Sequence, residues 1–281
     1  MIVDGARGVV PPGPDVLLRW ACVASALLAL LPGLRLLSWI WDRSEYLAHG
    51  YLIPAVSLWL LWVRRDELIR ALHEGKVPLS GPLWVGLAAL FEALAVAGEV
   101  SSAAGLGMPL LLAATAYALG GRPLLAAAGV PIGLLVLMVP PPGFIQDRVL
   151  IDLKRSVVHV SLEILHTLGY TVTATGNKIL VPGHELFVAN ACSGLISIVT
   201  LSPLAVVVAY FMGRGVWRRA LIVASIVPLA MLGNIIRVTA TVAVVSSHGI
   251  EYAQGLLHEG FGMVTFLAGT LALLFVARVL D

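Results

Sequence analysis

One cysteine stands at the start of a long apolar segment, where a thiol can act as a nucleophile. Cys192 lies in Asn190-Ala-Cys-Ser-Gly-Leu195, and an uninterrupted apolar run follows to about Met212. The amino end of a helix carries partial positive charge and unpaired N–H groups, which stabilise a thiolate and a developing oxyanion. The alternative is a small buried side chain with no chemical task, which is common for cysteine in apolar helices.

An arginine inside a later apolar run is the second residue that could take part in catalysis. Arg237 follows Asn234 by three positions in Asn-Ile-Ile-Arg, so both side chains are expected on one face of a helix. Placing a guanidinium in a membrane helix raises the free energy of insertion by at least about 2.5–3.5 kcal/mol. An arginine at such a position therefore usually has an interaction partner or a function. Besides a catalytic task, it could reach the interface or pair with a buried carboxylate such as Glu92.

A histidine at the start of the last apolar run is the third residue that could take part in catalysis. His258 lies in Gln254-Gly-Leu-Leu-His-Glu-Gly-Phe-Gly262. Histidine exchanges protons near neutral pH, so it can activate a thiol and protonate a leaving amine. The alternative is an ordinary polar residue at the membrane interface.

The sequence contains no motif that would indicate metal, aspartyl or nucleotide chemistry. There is no His-Glu-x-x-His, no paired-Asp motif and no Gly-rich phosphate loop, so we predict neither a metal site nor a cofactor. Ser193 invites comparison with the Gly-x-Ser-Gly motif of intramembrane serine proteases, but Ala191 occupies the first glycine position. A net charge of +2 with dispersed basic residues gives no indication of nucleic-acid binding.

The elements that would position these residues are membrane helices. Of 281 residues, 59% are hydrophobic and 12% charged, with a mean hydropathy of +0.96, far from the composition of a soluble domain. The apolar runs lie at about 16–38, 50–63, 82–98, 103–120, 123–140, 190–212, 219–245 and 256–279. We therefore predict an all-α integral membrane protein of about eight spans, forming one domain over residues 1–281.

The loop charges predict an orientation in the membrane. With the N-terminus in the cytoplasm, the inner loops carry the basic residues Arg64, Arg65, Arg70, Lys76, Arg122, Arg214, Arg218, Arg219 and Arg278. The outer loops at about 99–102 and 246–255 carry neither Lys nor Arg, as the positive-inside rule requires. This orientation puts both termini in the cytoplasm and Cys192, Arg237 and His258 towards the outer face.

An insert at about 141–189 interrupts the series of spans and is predicted to lie outside. Residues 144–166 have apolar positions at helical spacing, as in an amphipathic helix on the membrane or the bundle. Residues 170–188 alternate in polarity around Gly176-Asn177, which predicts a small β-hairpin before the sixth span.

The order of these motifs resembles the exosortase/archaeosortase family of membrane cysteine transpeptidases. The match comprises Ala191-Cys-Ser-Gly-Leu195, Asn234-x-x-Arg237, and His258 with Gly262 four residues later. Support comes from His49-Gly-Tyr-Leu-Ile-Pro54, Arg64-Arg65, Pro140-Pro-Pro142 and the Gly-Asn hairpin before the cysteine.

The resemblance implies an activity on exported proteins. Members cleave C-terminal sorting signals, which consist of a Pro-Glu-Pro-like (PEP-CTERM) motif, a hydrophobic helix and a basic cluster, at the outer face of the cytoplasmic membrane. They transfer the new carboxyl end to an acceptor that the resemblance leaves unspecified. It further implies that the sorting-signal segment and membrane lipid are partners.

The same resemblance implies a role for each motif residue. Cys192 corresponds to the nucleophile, Arg237 to the stabiliser of the oxyanion or thiolate, and His258 to the general acid/base. Supporting roles fall to Asn234, Ser193 and Asn190.

A transporter or channel is the competing class. In that reading Arg237 binds an anionic substrate in a polar pocket near Asn234. Such a protein needs a path to both faces, whereas the polar groups here are predicted to cluster towards one side.

Overall fold

A computed structural model describes residues 14–44, 47–175, 178–181, 184–187, 194–249, 251 and 256–280. Within these ranges, five helical segments are long and apolar enough to cross a membrane: Leu17–Arg43, Ser101–Met138, Leu195–Met212, Val216–His248 and Gly260–Leu280. Two shorter apolar helices are Leu52–Val63 and Gly81–Ala97. The chain is therefore an all-α, multi-pass membrane protein.

The chain forms two compact units, described separately below. The first unit comprises residues 1–43 and 50–140, and the second comprises residues 44–49 and 141–281. The helices of the first unit are α1 (Pro14–Arg43), α2 (Leu52–Val63), α3 (Arg65–Glu74), α4 (Gly81–Ala97) and α5 (Ser101–Leu134). The second unit contains the helices α6 (Gly143–Thr167), α7 (Leu195–Met212), α8 (Val216–Ala224), α9 (Ile226–His248) and α10 (Leu256–Leu280).

Helix α5 is a hairpin of two arms. Gly121 has φ +66° and ψ −155°, a conformation that interrupts the helix and that side chains with a Cβ rarely adopt. A Cβ placed on Gly105 would lie 2.8 Å from Cγ1 of Val139, so the two ends of this stretch meet. The arms match the predicted spans 103–120 and 123–140. Among the five long segments, Ser101–Met138 contains this hairpin and Val216–His248 contains the joined helices α8 and α9. The number of segments is therefore not the number of spans, and the total of about eight spans remains a prediction.

A second hairpin joins α4 to the first arm of α5. The turn contains Glu99, with φ +54°, and the Val100 N–H donates to the Ala95 carbonyl at 3.0 Å. At the other ends of the two helices, a Cβ on Gly81 would lie 2.8 Å from the Cα of Ala118. Small residues thus allow the two backbones to approach closely at the end opposite the turn.

Helix α3 lies in a segment that the sequence analysis treated as a basic loop. Its Leu68 and Leu72 pack against a buried cluster of Ala71, Leu124 and Ala127. Its charged residues are exposed, so the helix is amphipathic. A scan for uninterrupted apolar runs misses such a helix because only one face is apolar.

The second unit begins with α6, at the position predicted for the amphipathic helix. Its buried residues are Lys154, Val157, Val158, Ser161 and Leu165, which recur at helical spacing. A three-stranded antiparallel sheet follows, with strands β1 (Thr173–Thr175), β2 (Lys178–Val181) and β3 (His184–Phe187) in the order β1-β2-β3. The Gly176-Asn177 turn lies outside the described residues. The third strand was not predicted as such, although Pro182-Gly183 in the sequence is a turn dipeptide.

Two apolar clusters hold the helices of the second unit in place. One joins α6 and the sheet to α9 through Val157, Leu165, Ile179, Val238 and Val242. The other contains Leu201, Ala205, Ile222, Leu273 and Ala277, and it joins α7, α8 and the end of α10. The start of α7, the middle of α9 and the start of α10 are left to form the site.

Candidate functional site

The guanidinium of Arg237 packs on helix α10 at a glycine. A Cβ placed on Gly262 would lie 3.6 Å from each terminal nitrogen of Arg237 and 3.7 Å from its Cζ. The Arg237 side chain is half-buried, and its own carbonyl accepts a hydrogen bond from Thr241 Oγ1 at 2.8 Å. A side chain longer than alanine at position 262 would therefore enter the space that the guanidinium occupies.

His258 is one helical turn before this contact. The backbone of α10 includes residue 258, four positions before Gly262, which corresponds to about 6 Å along the helix axis. The His258 side chain lies outside the described part of the structure. The structure thus brings Arg237 to the segment of α10 that contains His258.

Asn234 lies one turn before Arg237 on α9 and faces the start of α7. It is 3% exposed, and its Nδ2 donates to Ser197 Oγ at 3.1 Å and to the Ala230 carbonyl at 2.8 Å. An amide nitrogen has two hydrogens, so both donors of this side chain are used. Only its oxygen remains as an acceptor for another group.

The contact between Asn234 and α7 is close to the cysteine motif. A Cβ on Gly194 would lie 3.4 Å from Asn234 Nδ2, and Gly194 itself has φ +86° at the amino end of α7. Its carbonyl accepts from the Ile198 N–H at 2.9 Å, which closes the first turn. Cys192, Ser193 and Asn190 lie outside the described residues.

Helix α9 therefore contacts two of the predicted motifs from one polar face. Asn234 contacts Gly194 of the first motif and Ser197 just beyond it, and Arg237 contacts Gly262 of the last motif. The alternative partner for Arg237, Glu92, belongs to the first unit, and neither of its oxygens has a hydrogen-bond partner among the described residues.

Ser197 is a site residue that the sequence analysis missed. Its Oγ, in the first turn of α7, accepts a hydrogen bond from the side-chain amide of Asn234. The available signal was a hydroxyl three residues after Gly194, in the first turn of the helix that follows the cysteine motif. No metal site adds to this arrangement within the described ranges, where no group of three or more His, Cys, Asp or Glu side chains is close enough to hold an ion.

Comparison with known proteins identifies a family. The family model for transmembrane exosortases (Exosortase_EpsH) matches residues 41–275, which include every motif on which the resemblance rests. No curated protein and no solved structure matches the chain.

Proposed function

Because the chain belongs to the transmembrane exosortase family, we propose that it cleaves C-terminal sorting signals of exported proteins as a cysteine transpeptidase. The family supports a membrane transpeptidase for sorting signals. The observation that carries the assignment to particular residues is the position of α9, whose Asn234 and Arg237 contact the segments next to Cys192 and His258.

The proposed reaction is a two-step acyl transfer at Cys192. His258 takes the thiol proton, and the thiolate attacks the scissile carbonyl to form a tetrahedral oxyanion. The C–N bond then breaks, and His258 returns the proton to the leaving amine, which leaves a thioester on Cys192. A nucleophilic acceptor then gives up its proton to His258 and attacks the thioester. The C–S bond breaks, the proton returns to the Cys192 thiolate, and the acceptor keeps the former carboxyl end.

Arg237 is the proposed stabiliser of negative charge in both steps. Its guanidinium stays charged when poorly hydrated and presents several donors, so it suits an oxyanion or a thiolate. Asn234 cannot share that role through its amide nitrogen, because both N–H groups are already used. We assign Asn234 to positioning the start of α7, with Ser193 and Asn190 as further supporting residues.

The proposed substrate is matched to a site near one membrane face. Its C-terminal hydrophobic helix would lie beside the bundle, with its basic cluster at the cytoplasmic face of the inner membrane. The cleaved segment, with its Pro-Glu-Pro-like motif, would then be level with Cys192 at the outer face. Helix α6 and the sheet would limit access of water there, which favours transfer over hydrolysis.

The decisive experiment uses the two cysteines of the chain as a matched pair. Cys22 is buried in α1 of the first unit and serves as the control. Each cysteine is replaced by alanine, and each variant is expressed with a protein that ends in a sorting signal. We expect Cys22→Ala to process the substrate like the wild type and Cys192→Ala to lose at least about 1,000-fold in rate, as for removal of a nucleophile.

The readout is the mass of the substrate's new carboxyl end, with the amount of each variant in the membrane measured in parallel. Processing by Cys192→Ala at the wild-type rate would refute the nucleophile. A transporter with an anion pocket at Arg237 predicts a different outcome, in which neither the wild type nor either variant cleaves the sorting signal.

A further inference from the structure

A carboxyl group is enclosed in the apolar core of the first unit. Glu92, on α4, is 1% exposed, and both of its oxygens are buried without a hydrogen-bond partner among the described residues. It is the one acidic or basic residue in the sequence Gly81–Ala97. Such a residue inside a membrane helix is costly and usually has a function.

Two glycines from neighbouring helices enclose this carboxyl. A Cβ placed on Gly33 of α1 would collide with Oε1 of Glu92, and a Cβ on Gly107 of α5 would collide with Oε2. The Cγ of Met108 lies 3.5 Å from that Gly33 position and closes the same space. The three helices thus form a socket that fits the carboxyl and has no room for a hydrated cation.

Other charged groups of the packed helices lie away from the socket. On α1, the nearest is Arg35, which is exposed and two positions from Gly33, on the opposite side of the helix. On α5, the ionisable residues are Tyr117 and Arg122, ten or more positions beyond Gly107. The remaining ionisable residues of α1 whose side chains are described are Arg19, Cys22, Asp42 and Arg43, all at least seven positions from Gly33.

We propose that Glu92 is a proton-binding site, held in the neutral form while α1, α4 and α5 are packed as in the structure. Among the described residues, none would give an ionised carboxylate in this socket a counter-ion or a hydrogen-bond donor, which strongly disfavours the charged form. Proton release therefore requires that α1 and α5 separate enough to admit water. Because the packed state holds the proton and the separated state does not, rising pH favours separation.

Infrared spectroscopy of the full-length protein in lipid tests the protonation state. Glu92→Gln is nearly isosteric and cannot ionise, and Glu92→Met, which removes the polar head, serves as a second variant. At neutral pH, we expect the difference spectrum between wild type and either variant to show the carbonyl band of a neutral carboxylic acid. A carboxylate band in its place would overturn the proposal.

Thermal unfolding tests the coupling to packing. From about pH 4.3, the ordinary pKa of a glutamate, up to the pH at which the packed state releases the proton, the wild type should lose thermal stability relative to both variants, because in this range only the packed state still binds it. Parallel pH profiles for all three proteins would overturn the coupling. Neither measurement uses transpeptidase activity, so the result is independent of the function proposed for Cys192.

Discussion

At the scale of single residues, the guanidinium of Arg237 rests against bare backbone because residue 262 is glycine. The 3.6 Å separation from the Gly262 Cβ position is an ordinary van der Waals contact, so a methyl group fits and a branched side chain does not. Gly260, on the same helix, has open space at its Cβ position and provides a matched control.

Substitutions at these two glycines should separate the contact from general effects on the helix. Gly262→Leu should displace the guanidinium and lower the rate of substrate processing about 100-fold, as misplacement by about 1 Å can do. Gly262→Ala and Gly260→Leu should stay within a few-fold of the wild type. All three changes raise helix propensity, so poor folding of α10 does not explain a loss. Equal rates for Gly262→Leu and Gly260→Leu would contradict the role of the contact.

At this scale, the sequence could predict which side chains share one face of a helix. It could not predict which residues of different helices are in contact. Asn234 and Arg237 were placed on one face because they are three residues apart. That Asn234 donates to Ser197 depends on how α7 packs against α9, which hydropathy does not encode. The same limit applies to Glu92, whose burial was foreseen but whose glycine socket comes from two other helices.

At the scale of elements, Gly121 determines that residues 101–138 form a hairpin rather than one long helix. Its φ of +66° excludes most residues with a Cβ, and a Cβ there would lie 3.0 Å from the carbonyl oxygen of Lys76. Gly129, in the second arm, has open space at its Cβ position and lies within the helix.

We expect Gly121→Ala to destabilise the first unit by about 1–3 kcal/mol, the usual cost of a side chain in a disfavoured backbone conformation. Gly129→Ala should be neutral or stabilising by up to about 1 kcal/mol, because alanine is the better helix former. Denaturant titration of the two variants in detergent micelles measures the difference. Equal stability of the two would show that the turn tolerates a Cβ.

Apolar runs predicted the long helices well, and they failed where an element is only partly apolar or is broken by a local turn. The run at 219–245 corresponds to two helices, α8 and α9, which meet at Ser225. Helix α3 escaped notice because its charged face dominates the average. Strand β3 lies within the segment 170–188 whose alternation predicted β structure, but a hairpin has two strands and the sheet has three. In each case the decisive information is local geometry or packing rather than mean hydropathy.

At the scale of the whole molecule, the proposed orientation places the turn between α4 and α5 outside and the turn between α7 and α8 inside. Val100 and Arg214 are exposed residues of these two turns and can each be replaced by a single cysteine in a chain without Cys22 and Cys192. A membrane-impermeant thiol reagent should label Val100→Cys in intact spheroplasts and Arg214→Cys only after permeabilisation. The reverse pattern would invert the topology and place Cys192 in the cytoplasm.

The pairing of α4 with the first arm of α5 also bears on how the chain enters the bilayer during synthesis. The two helices meet at Gly81 and Ala118 at one end and are joined through Glu99 at the other. Both helices satisfy their backbone groups within the bilayer, so that in the proposed orientation only the short turn has to cross it. The turn contains one carboxylate and no basic residue, so the positive-inside bias does not oppose its passage. The close packing of α4 on the first arm of α5 therefore leaves only a short, acidic turn to be carried across the bilayer.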